Sequence, residues 1–509
     1  MEFNSNKDCI SVCSTIFQAS AEHSVDCDVT LPEYMPDIVR ILRCSAVSGV
    51  QSHQINGDRI TAECECLVKV LYICEEGKIR CFDQMLHFSK QIELKSADTI
   101  TDISVGAKTD YVNYRVSGQR KFEVHGAVTV FARADGKKKY EFINEVSGGS
   151  VTARCENDEI CDLVSITEKT FTISETVETG TLSEPIGAII SHSAVAVIDE
   201  LKVISNKLFL KGEMTIRTAF TGQETCDVHT LENTISINQI IESPDIHENC
   251  NVDALLSVMS LDVRPRFDSA GDKNLLDISA TLGFSASCYC NRQINCIKDA
   301  YSTKYESDLK KTVVYMPALH EKIDDTFLCR GNAEFATGIT KVLSFTCGNA
   351  TSIFSVVEDG IIIRGEVTAD IIYEDANGDI SFAQRQIPFE YKRPLQSNSN
   401  ALTCKPHCVA NASSYVMVEG NKIDIRIEIH IHGFVFSEKE KSIVTEINVD
   451  KSKIKAIKTA SLTVYFAECD ESLWNIAEKY NTTVEAIMRE NHLTGNTTEK
   501  KCKLLIPKV

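Results

Sequence analysis

At 509 residues the chain is several times longer than a typical domain of roughly 100 to 200 residues, which excludes a single core and predicts three or four domains. A composition of 43% hydrophobic and 25% charged residues excludes disorder as the main state. The 53 Lys and Arg against 72 Asp and Glu leave a formal charge of −19, which makes nucleic acid and anionic lipid surfaces poor partners.

The first residues, MEFNSNKDCISVCSTIFQAS, lack a basic stretch followed by an apolar core, and no run in the chain approaches the roughly 18 apolar residues of a membrane span. A cytoplasmic chain with no membrane span is expected. The 21 cysteines are read as mostly reduced thiols, several of them small core residues, with an odd count that leaves one unpaired.

The chain is organised by self-similarity. PDIVRILRCSAV from Pro36, EPIGAIISHSAV from Glu184 and TGITKVLSFTCG from Thr337 place Ile38, Ile186 and Ile339 at spacings of 148 and 153 residues. A short helix is expected over Asp37 to Arg43. A second block comes next in each unit, DRITAECECLVKVLY from Asp58, KLFLKGEMTIRTAF from Lys207 and GIIIRGEVTADIIY from Gly360, with Glu63, Glu213 and Glu366 in register. Apolar and polar residues alternate there, as in a strand with one buried face. Each block runs into a turn: Glu75 to Lys78, Thr221 to Glu224, and Ala376-Asn377-Gly378-Asp379, whose Asn-Gly pair favours a hairpin. A third block, KFEVHGAVTVFARA from Lys121, LLDISATLGFSASCYC from Leu275 and KIDIRIEIHIHGFVF from Lys422, is expected to turn back at Asp135-Gly136, Asn291-Arg292 and Glu438-Lys439.

The fold class expected is therefore mainly β: three tandem sandwich-like or barrel-like repeats of about 150 residues plus a small βααβ domain. Boundaries are placed at 1–150, 151–310, 311–455 and 460–509. Repeated β units with long strands suit multivalent interaction better than catalysis.

From Ser461 the pattern becomes a strand, two helical stretches and a closing strand. Asp470 precedes the first helix as a cap, Leu473, Ile476, Ala477 and Tyr480 come after it at helical spacing, Thr483 opens the second helix, and Leu504, Ile506 and Pro507 close as an edge strand. This segment resembles a LysM module, through Asp470, Leu473-Trp474, Ile476-Ala477, Tyr480, Asn491, Leu493 and Leu504 to Pro507. The resemblance implies a shallow groove for N-acetylglucosamine polymers between two loops, and hence Asp470, Glu471, Ser472, Asn491, His492, Leu493 and Thr494 as the partner-binding or glycan-binding residues. Cys469 replaces the module's glycine, and Lys500-Lys501-Cys502 replaces its Pro-Gly-Gln, so each loop lacks a close-approach glycine.

Together with Pro36 to Leu42, the repeats resemble the SPOCS domains of clostridial spore-coat proteins. Tandem SPOCS domains followed by one LysM module resemble the SipL-like family of coat morphogenetic proteins. That resemblance implies a non-enzymatic scaffold of the mother-cell cytoplasm, recruited to the forespore surface, whose tail grips the spore coat morphogenetic ATPase and whose repeats meet other coat proteins. The alternative it leaves is a peptidoglycan-binding wall or cortex protein.

No P-loop, His-Glu-x-x-His, Gly-x-Gly-x-x-Gly or Gly-x-Ser-x-Gly motif occurs, and no catalytic residue, cofactor or metal is assigned. Asp375-Ala-Asn377-Gly-Asp379 cannot complete a calcium loop, since Ile380 and Gln386 stand where Gly and Glu are needed. Cys404-Lys-Pro-His407-Cys408 offers three soft ligands without a fourth. His430 and His432 share one strand face, and a half-exposed face accounts for them. Trp474 is read as a packing residue rather than a sugar platform, and Lys451, Lys453, Lys455 and Lys458 as a basic linker.

Overall fold

The computed structural model describes residues 4–94, 100–148, 150–180, 184–225, 227–395, 402–418, 421–455 and 462–508. The first block of strands comprises β1 (Asn4–Thr30), β2 (Ile38–Asn56), β3 (Arg59–Cys74), β4 (Ile79–Glu93), β5 (Ile100–Gly118) and β6 (Lys121–Ser147). The second comprises β7 (Val151–Glu178), β8 (Ile186–Ile204), β9 (Lys207–Gly222), β10 (Val228–Glu242), β11 (Asn251–Arg266) and β12 (Leu275–Ser302). The third comprises β13 (Tyr305–Glu334), β14 (Ile339–Val357), β15 (Gly360–Asp375), β16 (Ile380–Pro394), β17 (Leu402–Cys404), β18 (His407–Val418) and β19 (Lys422–Ile454). The tail holds β20 (Leu462–Ala467), α1 (Leu473–Tyr480), α2 (Val484–Asn491) and β21 (Cys502–Pro507). The mainly β, tandem-sheet architecture expected from the alternation is present.

Each block makes two antiparallel sheets. One is a meander, β2-β3-β4, β8-β9-β10 or β14-β15-β16. The other joins the block's first and last long strands, with β5, β11 or the β17 and β18 pair on the far side of the last. Alternation drives the packing. On β19, Ile423, Ile425, Ile427, Ile429 and Ile431 are all buried while the residues between them are not, and each contributes about 1.5–3 kcal/mol over exposure. The two sheets enclose one core per block, and β2 meets β5 through the Ser48 and Thr109 hydroxyls, 3.0 Å apart, so each sandwich closes toward a barrel.

Two expectations fail for one physical reason. Residues 38–43 are strand, not helix. β-Bulges between Ile38 and Arg40 and between Ile41 and Arg43 stretch the strand's period of two to three, so buried Ile38 and Ile41 imitate helical spacing. The third-block turns are also absent: β6, β12 and β19 run on through Asp135-Gly136, Asn291-Arg292 and Glu438-Lys439. Near these points each long strand passes a bulge in its partner, where Ile16, Val164 or His320 is the extra residue. The polar pairs mark exits from the sandwich into two-stranded arms. Lys451 and Lys453 belong to β19 rather than to a linker, and Lys458 lies outside the described residues.

The structural register also corrects one residue. β3, β9 and β15 start at Arg59, Lys207 and Gly360, so Glu65 rather than Glu63 aligns with Glu213 and Glu366. A slip of two keeps every side chain on its face, which is why alternation alone did not reveal it.

The three blocks surround a common axis. Phe142, Cys296 and Ile443 hold equivalent positions on the arms and share one buried cluster with Ile10, Ile160 and Val314. Their neighbours Ile143, Ile297 and Val444 share another. At the opposite end of the sandwiches, equivalent Leu71, Ala219 and Ile372 meet in a third. Polar contacts close the ring in one sense. Lys69 Nζ donates to His192 Nε2 at 2.8 Å, Arg217 donates to Ser413 Oγ at 2.6 Å, and Asp370 accepts from Arg43 at 2.6 Å. Lys69, Arg217 and Asp370 are equivalent positions, and each reaches the next block.

The expectation of mostly reduced thiols holds, with 17 free cysteines among the described residues, while Cys250 and Cys290 form a disulfide that joins the loop before β11 to β12. Cys64, Cys66, Cys74, Cys288 and Cys296 are buried apolar residues, as read from the strand pattern.

Candidate functional site

The tail folds as strand, two helices and strand. Ser472 occupies the N-cap of α1 without a side-chain bond, so Asp470 is not the cap; its backbone is left-handed, φ 61°, two residues earlier. Thr483 caps α2 as expected, its hydroxyl accepting from Ala486 N at 3.1 Å. Leu473, Ile476, Ala477, Ile487, Leu504 and Ile506 form the small core.

The two loops beside the implied groove are tied together. Asp470 N donates to Thr498 O at 2.8 Å, Leu473 N to Asn496 O at 3.0 Å, and Thr498 N to Glu471 O at 3.1 Å. Ser472 and Thr497 form an antiparallel bridge. Glu471 is engaged internally: its carboxylate accepts from Tyr465 OH at 2.5 Å and from Glu468 N at 3.0 Å, and the first bond pushes the Tyr465 pKa up to about 12. Asn491 is engaged as well, donating to Ile487 O and Leu505 O and accepting from Leu505 N at 2.7 to 2.8 Å. Asp470, His492 and Thr494 are exposed, while Ser472 and Leu493 are half-buried.

Trp474 packs rather than presents a platform. It is 7% exposed, stands edge-on to Tyr301 of β12 with ring centroids 4.9 Å apart, and donates its indole N–H to Asp299 Oδ2 at 3.0 Å. The Tyr301 hydroxyl donates to Thr482 O at 2.7 Å. The tail is thereby docked on the arm tip of the second block, a contact that spacing within the tail could not reveal.

What the tail leaves open is apolar. Leu462, Val464 and Phe466 lie opposite Pro507, Leu505 and Lys503 in the β20-β21 register and so share one face. Phe466 is 76% exposed, and Leu462 and Val464 are more than two-fifths exposed. Sequence reading passed over this face; the strict alternation of Leu462, Val464 and Phe466 with buried-side Tyr465 and Ala467 was the available signal.

Elsewhere, donor atoms of Asp253, His407 and His432 come within 4.8 Å of one another between the second and third blocks. His407 thus turns to His432 and Asp253 instead of forming a site with its sequence neighbours. Burial and the Asp253 carboxylate push the Cys404 thiol up to about 12. His430 and His432 are both half-buried on one face of β19, as expected, and burial lowers the His432 pKa. No described helix is long and apolar enough to cross a membrane.

Comparison with protein-family models finds three SipL SPOCS-domain segments, at residues 37–117, 185–264 and 338–431, and a LysM domain at 470–497. No curated protein and no solved structure matches the chain. Each SPOCS segment spans the meander sheet of its block and continues into the second sheet. Both domain types are non-catalytic binding domains, and the LysM domain is of a peptidoglycan-binding type. Half of the chain is matched by one family, in the same tandem order as the structural repeats, and the chain belongs to the SipL SPOCS-domain family of sporulation proteins, with a LysM domain at its end.

Proposed function

We propose that this chain is a non-enzymatic scaffold of spore-envelope assembly whose LysM tail grips a protein, the spore coat morphogenetic ATPase, through the apolar β20-β21 face. The carrying observation is the contrast on the tail: Trp474, Glu471 and Asn491 are engaged within the fold, while Leu462, Val464 and Phe466 are bare. An exposed aromatic flanked by aliphatics is the composition of a protein-interface anchor. The three-block ring would serve as a rigid base carrying one grip, from a mother-cell cytoplasmic pool recruited to the forespore surface, with other coat proteins meeting the ring.

The second reading is peptidoglycan binding by the exposed loop residues Asp470, His492 and Thr494, with half-buried Leu493. The LysM match favours it. Both are tested on the full chain, with capture of the purified coat ATPase and co-sedimentation with peptidoglycan measured in parallel. Phe466→Glu is expected to abolish ATPase capture with the fold intact, and Asp470→Lys to leave it unchanged. Saturable peptidoglycan binding without ATPase capture would overturn the scaffold reading in favour of the second.

A further inference from the structure

The histidines between the second and third blocks are arranged for chemistry that the tail does not need. His407 on β18 and His432 on β19 are direct cross-strand partners, with ring centroids 5.0 Å apart. Two backbone features set this pair. Pro406 interrupts the strand between Cys404 and His407, and Gly433, at φ 153°, lets the Lys405 carbonyl approach to where a Cβ would sit at 3.0 Å. Asp253 enters from β11 of the other block, with Oδ2 3.7 Å from His407 Nε2.

The hydrogen bonding of His432 fixes its tautomer. Its Nε2–H donates to Ala254 O at 2.9 Å, so in the neutral ring Nδ1 carries the lone pair. That Nδ1 is buried and has no hydrogen-bond partner. An imidazole with one nitrogen bonded to a backbone carbonyl and the other free is the arrangement by which proteins orient a metal-ligating histidine. A buried acceptor left unpartnered would otherwise cost about 1–3 kcal/mol.

We propose that Asp253, His407 and His432 bind one divalent transition-metal ion of the zinc class, through a carboxylate oxygen, an imidazole nitrogen of His407 and Nδ1 of His432. Two imidazoles and a carboxylate suit zinc and disfavour magnesium or calcium, which prefer oxygen ligands. Three protein ligands leave a tetrahedral ion one open position. Asp253 and His432 line a cleft of about 340 Å³ that also includes Asp324 and His430, paired to each other at 2.9 Å. A bound ion would bridge two blocks of the ring.

Among the described residues the arrangement belongs to this interface alone. The positions equivalent to His432 on β12 and β6 are Ser285 and Phe131, neither of which ligates zinc strongly. A second constellation, His247 with Cys250 and Cys290, has its two sulfurs joined in a disulfide and so offers one imidazole.

The test uses the full chain, stripped with a chelator and titrated with Zn²⁺ or Co²⁺ alone. Calorimetry, bound-metal analysis, the Co²⁺ absorption spectrum and the melting midpoint are read together. The expected result is one tight equivalent per chain, a Co²⁺ spectrum without thiolate charge-transfer bands, and a midpoint raised by metal. Asp253→Asn and His432→Ala should each weaken that equivalent at least tenfold and remove the midpoint rise. His407→Gln, a milder change at the cross-strand ligand, should do the same, and it keeps the test decisive if His432→Ala does not fold. The proposal is overturned if the stripped chain binds no tight equivalent, if the Co²⁺ spectrum is that of thiolates, or if a folded variant retains the affinity and midpoint rise of the parent.

Discussion

Removing Tyr301 should release the tail from the ring. Three contacts converge there: the Tyr301 ring against Trp474, its hydroxyl to Thr482 O, and the Trp474 indole to Asp299. An aromatic pair contributes about 0.5–1.5 kcal/mol beyond area, a neutral hydrogen bond about 0.5–1.5, and one to a carboxylate about 1.5–3. Tyr301→Ala loses the first two directly and lets water reach the third, so a docking loss of about 3 kcal/mol is expected, a hundredfold or more in the docked-to-free ratio. Tyr301→Phe should lose only about 1 kcal/mol, because the ring stays. The assay is direct because Trp474 is the only tryptophan in the chain. In Tyr301→Ala its fluorescence should shift to the red and become quenchable by acrylamide, with far-ultraviolet circular dichroism unchanged. A blue, quencher-protected emission in a folded Tyr301→Ala protein would refute the docking argument.

Truncating Phe142 to alanine should cost about 3–5 kcal/mol, and because Phe142, Cys296 and Ile443 share one cluster, calorimetry should show all three blocks melting earlier; loss confined to the first block would contradict the common axis. A pH effect should come from His192. Burial, then the Lys69 ammonium, holds its pKa down at about 4 against an ordinary 6.5. The unfolded chain therefore takes up a proton that the folded chain refuses. Stability from this group is full above about pH 6.5 and is lost as pH falls toward about 4, by roughly 3 kcal/mol in total. His192→Gln should flatten that part of the pH dependence of the melting midpoint, and an unchanged profile would refute it.

Strand alternation and a fixed turn at each meander were legible because both are local: apolar residues at every second position, and Asp375 accepting from Asn377 N and Asp379 N in the predicted hairpin. Bulges defeated the same logic at Ile38 and Ile41, since one inserted residue converts a strand's period into something helix-like. The arms were misread because Asp135-Gly136 has turn composition, yet its partner strand continues beside it. In the tail, the helices and the core followed from spacing. The engagement of Trp474 by Asp299 and Tyr301 did not, because those residues lie about 175 positions earlier and only the folded chain brings them together. The same applies to Asp253 and His432, which come from different blocks.

Linking three repeats in one chain allows equivalent positions to diverge, as identical subunits cannot. Lys69, Arg217 and Asp370 show the consequence: a single ring contact is made by an ammonium to an imidazole, a guanidinium to a hydroxyl, and a carboxylate to a guanidinium. Such unlike pairs disfavour a register in which blocks exchange places. The arm tips diverge in the same way. The positions equivalent to Tyr301 are Ser147 and Asn448, and neither can offer an aromatic edge to Trp474. One tip of three thus accepts the tail, so a ring of near-equal units carries its LysM domain at a single defined place, with the apolar face of β20 and β21 turned away from the tail's own core. On the function proposed above, that face would be one grip per ring, held at a fixed place, whatever else the ring itself meets.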